Sequence, residues 1–152
     1  MKSIVLVVLL SVISLHINAQ AVNPKYDKAL ADSLGADNYG MKSYILVILK
    51  TGTNKIERKE TVDSLFRGHL ANIGRLAAEG KLIVAGPLKK NERQYRGIFI
   101  FNVKTIEEAN TLLSSDPAIK EKLLDAELFQ WYGSAALPLY LKSHEKIEKN
   151  KM

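Results

Sequence analysis

The sequence contains no cysteine, which excludes disulfides and thiolate metal ligands. Histidine is nearly as scarce, with only His16, His69 and His144 in the whole chain. One histidine in the central region cannot by itself build an imidazole metal site, so no metal is expected. No glycine-rich phosphate loop and no serine-nucleophile motif is present, and no cofactor is expected. Basic residues are not interleaved with aromatics, and no nucleic-acid-binding motif occurs, so nucleic acid is not an expected partner.

What is present is an ordinary globular composition. The 152 residues are 47% hydrophobic and 25% charged, enough for one compact domain. The formal charge is +6. Part of the excess comes from the last stretch, "LKSHEKIEKNKM", with Lys142, Lys146, Lys149 and Lys151. Residues 138–152 are expected to form a charged, solvated tail.

The N-terminus, "MKSIVLVVLLSVISLHINAQA", has one lysine, an apolar run from Ile4 to Leu15, and small residues before two candidate cuts. This is the layout of a secretory signal peptide over residues 1–20, cleaved after Ala19 or Ala21. The run is short for a membrane span, which needs about 20 apolar residues. A retained anchor is the alternative. Export to the periplasm or outside the cell is expected, with no membrane attachment after cleavage and with His16 discarded. Residues 21–40 carry a short helical pattern (Tyr26, Leu30, Ser33, Leu34) stopped at Gly35, a lead-in arm packed loosely on the domain.

The domain proper is expected over residues 41–137. Tyr44 to Leu49 is a continuous apolar run, a strand covered on both faces. Thr61 to Glu79 is the long helix, capped near Gly80, and "KLIVAGPL" is the second strand. "KKNERQYR" is a charged hairpin tip before the strand "GIFIFNV". Thr105 and Glu108 form a capping box for the next helix. "DPAIKEKLLD" is a third helix with Asp116 at its N-cap and Pro117 at its first position. "ELFQWYG" closes the set. The order β-α-β-β-α-(α)-β is the split βαβ sheet of an α+β, ferredoxin-like fold with helices on one face. The other face is also apolar, so something must cover it. The simplest cover is a second copy, a homodimer through the sheet face; the N-terminal arm or the C-terminal tail is the alternative.

His69 is the residue that does not fit a plain helix. With Leu65 set at 0°, it falls near 40° on the helical wheel, between Leu76 at about 20° and Ile73 at about 80°. A buried imidazole without a hydrogen-bond partner costs about 1–3 kcal/mol, so something polar must meet it. It is either a core histidine bonded to a carbonyl or carboxylate, or the floor of a pocket where proton transfer occurs. Asp63 lies on the wrong side of the same helix, and Asp125 is expected to face water. Asp116 can cap its helix with one oxygen and accept from the imidazole with the other.

These segments resemble a known family. "YGMKSYILVILKTG", "GHLANIGRLAAEGKLIVAGP", "YRGIFIFNV", "EEANTLL", "DPAI" and "WYGSAAL", in that order across residues 39–137, are similar to the YciI family (YCII-related domain). The resemblance implies a ferredoxin-like fold paired into a dimeric α+β barrel. It also implies a polar pair in a small pocket, formed by a histidine on the first helix and an aspartate in a "DP" step; those positions match His69 and Asp116. Members or close relatives include a dehydrochlorinating enzyme acting on a hydroxylated aromatic ring, and the barrel is similar to that of muconolactone isomerase. Many members carry an acid just after the "GP" step. Here the loop is "LKKNERQYR", and its bases (Lys89, Lys90, Arg93, Arg96) are candidates to meet an anionic ligand.

Two functions follow as expectations. The first is a lyase or isomerase acting on a small anionic or aromatic molecule, with His69 as general acid/base and Asp116 as its partner. The second is a non-catalytic dimer that binds a small ligand or serves as a scaffold.

Overall fold

The computed structural model describes residues 23–149. The leader read over residues 1–20 lies outside them. Four strands form one antiparallel sheet in the order β2-β3-β1-β4. The central strand β1, Met41–Thr51, pairs along its whole length with β4, Leu124–Ser134, from Met41 opposite Ser134 to Thr51 opposite Leu124. Its other side pairs with β3, Tyr95–Phe101, and β2, Leu82–Pro87, forms the outer edge. With the helices between them, this is the expected ferredoxin-like α+β arrangement.

Alternation sorts the residues of β1 between two faces. Ile45, Val47 and Leu49 face the helices together with Phe99, Phe101 and Leu82. They pack against Leu76 of α2 (Lys59–Ala78), Ala109 and Leu113 of α3 (Ile106–Leu113), and Ala118 of α4 (Pro117–Lys120). Each such Leu, Ile, Val or Phe contributes about 1.5–3 kcal/mol on burial, so this layer holds the fold without a cross-link. The capping box of α3 forms as the sequence requires, with Thr105 and Glu108 satisfying each other's backbone N–H groups.

Two boundaries depart from expectation. The third helix stops at Lys120, and the segment read as its last turns instead reverses and enters β4 at Leu124. Lys122 takes a left-handed conformation there, φ +55°. Its carbonyl accepts from the Asn54 N–H while the Leu123 carbonyl accepts from Gly52. A Cβ at Gly52 would lie 2.0 Å from the Lys122 carbonyl oxygen, so only glycine lets the two chains approach. Pairing across β1 thus outweighs the helical pattern of "KEKLLD".

The second departure is at the C-terminus. A 3-10 turn, Leu137–Tyr140, leads into α5, Leu141–Ile147. Leu137 and Leu141 pack on the outer sheet face against Tyr44, Ile83 and Ile100, and the Tyr140 hydroxyl donates to the Ile83 carbonyl. These apolar anchors precede the lysines, which is why the segment is docked while Lys142 and Lys146 stay exposed. Part of the outer face is therefore covered by this chain itself. Leu46, Ile48 and Ile98 on that face remain half-buried, and Phe129 is 46% exposed.

The N-terminal arm follows its sequence. The helix α1, Lys28–Leu34, is capped by Asp27 and stopped by Gly35 at φ +68°, and it buries none of its residues. Among the described residues, no helix is long and apolar enough to cross a membrane.

Candidate functional site

The long helix α2 lies over the sheet and turns His69, Asn72 and Leu76 inward. The short helix α4 crosses beside it, and the two approach so closely that Gly68 sits against the Pro117 ring. A Cβ at Gly68 would stand 2.6 Å from the Pro117 Cγ. That contact sets the start of α4 and brings Asp116, the residue before Pro117, against His69, the residue after Gly68.

Asp116 is 1% exposed and carries two jobs on two oxygens. Its Oδ1 caps α4, accepting from the N–H groups of Ala118 at 3.0 Å and Ile119 at 3.4 Å. Its Oδ2 accepts from Nδ1 of His69 at 2.6 Å. All of these neighbours are donors, the set that an ionised carboxylate satisfies. Because Asp116 accepts, Nδ1 is assigned a proton, and in the neutral form of the ring Nε2 is then the lone-pair nitrogen.

His69 itself is held on three sides. The Phe99 ring stacks on it at 5.9 Å between centroids, and Phe66 meets it edge-on at 6.1 Å. The carboxylate fixes the remaining side. Among the described residues, Nε2 has no hydrogen-bond partner, yet no buried side-chain nitrogen or oxygen lacks one. The ring keeps 10% of its side-chain surface, and Nε2 is its unengaged polar atom.

The structure thus brings together the two residues singled out in the sequence. It leaves the other candidates apart. Asp63 pairs with Lys59, and Asp125 is exposed beside Lys50. Lys89, Lys90, Arg93 and Arg96 are all exposed on the hairpin. Among the described residues, no group of three or more histidine or acidic side chains is placed to hold a metal.

One residue of the site escapes a reading by residue type. Asn72 is 9% exposed, although its polar side chain suggests the solvent arc. Its angle on the wheel is the available signal: about 20° from Leu65 and about 40° from Leu76. Leu70, near 140°, is correspondingly 42% exposed. The buried face is centred closer to Leu76 than the run of aliphatic residues indicates.

Among the described residues, the surface carries clefts beside α1 and beside α5. One, of about 740 Å³, lies between α1 and the ends of β1 and β4; the other, of about 550 Å³, lies between α2, β2 and α5. Neither is lined by His69 or Asp116.

Comparison with known proteins finds a family match over most of the domain. Residues 43–131, more than half of the chain, match the sequence model of the YCII-related domain. Among solved structures, the chain is similar to 5-chloro-2-hydroxyhydroquinone dehydrochlorinase from Burkholderia phenoliruptrix AC1100, in complex with 2,5-dihydroxybenzoquinone. The identity is 18% and the TM-score 0.42, covering 57% of this chain and 92% of that one. No curated protein matches the chain.

Proposed function

The chain belongs to the YCII-related domain family, and from that premise we propose that it is an exported small-molecule protein whose His69–Asp116 pair performs cofactor-free general acid/base catalysis. The reaction class is that of a lyase or isomerase. Nε2 of His69 takes a proton from a carbon beside a carbonyl, or from a phenol. The electron pair left behind either expels a leaving group or is reprotonated elsewhere from the same imidazolium. Asp116 keeps the ring in one tautomer and stabilises its charged form, as the acid does in a catalytic triad.

The observation that carries this reading is the division of labour on one ring: Nδ1 is committed to a buried carboxylate while Nε2 has no partner among the described residues. A positioned general base contributes roughly 10²–10⁴ in rate. The substrate class is a small enolisable or phenolic molecule.

A second reading is supported by a different observation. His69 is only 8% exposed, and neither surface cleft reaches it. In that case the pair is structural, and the domain is a non-catalytic dimeric binder or scaffold. Either reading includes a homodimer through the uncovered part of the outer face, around Leu46, Ile48, Ile98 and Phe129. Light scattering on the purified protein decides the assembly. Mass spectrometry of its natural N-terminus decides the export signal.

A thermal-shift screen of small enolisable and phenolic acids separates the two functions, run on the wild type and on His69→Ala. A ligand at about 100 times its Kd adds about 2.7 kcal/mol of stability. The catalytic reading expects compounds that stabilise the wild type and not the variant, with turnover of at least one of them. Equal stabilisation of both proteins, without turnover, returns His69 to a structural role.

A further inference from the structure

Asn72 lies one helical turn beyond His69 and is buried with it and Asp116 beneath α2. A buried amide is retained at a cost unless its groups are bonded. Its Oδ1 accepts from Nη2 of Arg75 at 2.8 Å, and the Ser115 hydroxyl oxygen lies 3.0 Å away, itself accepting from the same Arg75 nitrogen at 3.0 Å. Its Nδ2 faces Oδ2 of Asp116 at 3.5 Å, the same oxygen that His69 holds at 2.6 Å.

The orientation of this amide is determined by its two ends. Arg75 has no acceptor to offer, and an ionised Asp116 has no donor. Only one of the two amide orientations satisfies both, with oxygen toward the guanidinium and nitrogen toward the carboxylate. Asn72 is therefore a polar bridge between an exposed cation and a buried anion. Arg75 is itself steadied by Glu79, at 2.7 Å on its other nitrogen.

We infer that Asn72 is a positioning residue of the His69–Asp116 pair, held by Arg75 so that its amide donates to the carboxylate oxygen that also receives the imidazole proton. Two consequences follow. Asn72 fills the second approach to Oδ2 and keeps that oxygen aimed at the ring. It also draws charge from Oδ2, because a donor shared on one acceptor weakens that acceptor toward the other donor. Asn72 thus moderates how strongly Asp116 pulls on the Nδ1 proton. Ser115 supports the same amide, and among the described residues its hydroxyl makes no hydrogen bond to the Asp116 carboxylate.

This inference rests on the reading of His69 and Asp116 as a functional pair, but it is tested without turnover. The probe is the Nδ1–H proton resonance of His69 in the ¹⁵N-labelled full chain, assigned by its loss in His69→Gln. Asn72→Leu fills the space without a donor, so Oδ2 interacts more strongly with the ring and the resonance moves downfield. Arg75→Met leaves Asn72 in place but releases its amide, so the shift is in the same direction and smaller. A merely structural asparagine changes the melting temperature without moving this resonance. If Asn72→Leu does not fold, Arg75→Met alone decides, since Arg75 is exposed. An unmoved resonance in the folded variants overturns the inference and leaves the His69–Asp116 proposal standing. Failure of that proposal is read separately, in the ligand screen.

Discussion

Asp116 and Asp37 are built alike in two different parts of the molecule. In each, one carboxylate oxygen accepts from two backbone N–H groups just downstream: Ala118 and Ile119 for Asp116, Tyr39 and Met41 for Asp37. In each, the other oxygen accepts from a ring on a distant element, His69 for Asp116 and Tyr132 for Asp37. The settings differ. Asp116 is sealed at 1% exposure under α2, while Asp37 is exposed where the arm joins β1. The ring differs too, an imidazole whose ordinary titration lies near neutrality against a phenol whose ordinary value is near 10. The same local carboxylate turn is a fastening in one place and a candidate proton-transfer site in the other. Burial and the identity of the ring make the difference.

The sharpest way to break the comparison is to remove the buried acid. Asp116→Ala removes the cap of α4, at about 0.5–2 kcal/mol, and leaves the buried imidazole donor without its partner, at about 1–3 kcal/mol more. Chemical denaturation measures the total. Asp116→Asn keeps the capping oxygen but turns an amide N–H₂ toward the ring, costing about 1–3 kcal/mol as one hydrogen bond is forced to reverse. The ring then carries its proton on Nε2, visible in its ¹⁵N shifts. No stability loss in Asp116→Asn beside a large one in Asp116→Ala would show that the cap alone matters.

Gly68→Ala comes next. Its new Cβ meets the rigid Pro117 ring at 2.6 Å. Overpacking costs about 1–3 kcal/mol, against which the change from glycine to alanine in a helix returns about 1 kcal/mol. The net loss is modest, but α4 is pushed from α2 and the His69–Asp116 contact lengthens. An unchanged Nδ1–H resonance in this variant would show that helix spacing does not set the pair.

The exposed partner gives the smallest effect. The Tyr132 hydroxyl and the Met41 N–H hold the Asp37 carboxyl below its ordinary value of 3.8. A lowered folded-state value contributes stability that is present above pH 3.8 and lost as the pH falls through that lower value. Tyr132→Phe therefore raises hydrogen exchange in the arm near neutral pH, leaves the global melting temperature nearly unchanged, and loses its effect in strong acid. A global effect comparable to that of Asp116→Asn would mean that burial is not what separates the two sites.

Much of the fold was legible because its signals are local. The apolar run of β1, the capping box at Thr105 and the Asp116-Pro117 step each determine their own structure. His69 stood out because an imidazole in an apolar stripe demands a partner, and the "DP" step offered one. Asn72 was hidden because its chemistry points outward while its angle points inward. Only the tertiary contact with Asp116 and Ser115 resolves that conflict. The end of α4 was hidden for a similar reason, since pairing of Leu124 with Thr51 is a long-range event. The docked C-terminal segment was obscured by its lysines, although Leu137 and Leu141 ahead of them supply the contact.

The most direct measurement is the tautomer of His69 in the unmodified protein, read from two-dimensional ¹⁵N NMR near neutral pH with His144 as the exposed reference. The expected result is a single form with the proton on Nδ1 and a bare Nε2, reversed in Asp116→Asn. A proton on Nε2, or the mixture that a solvent-exposed imidazole shows, would contradict a ring poised by its carboxylate to accept a proton.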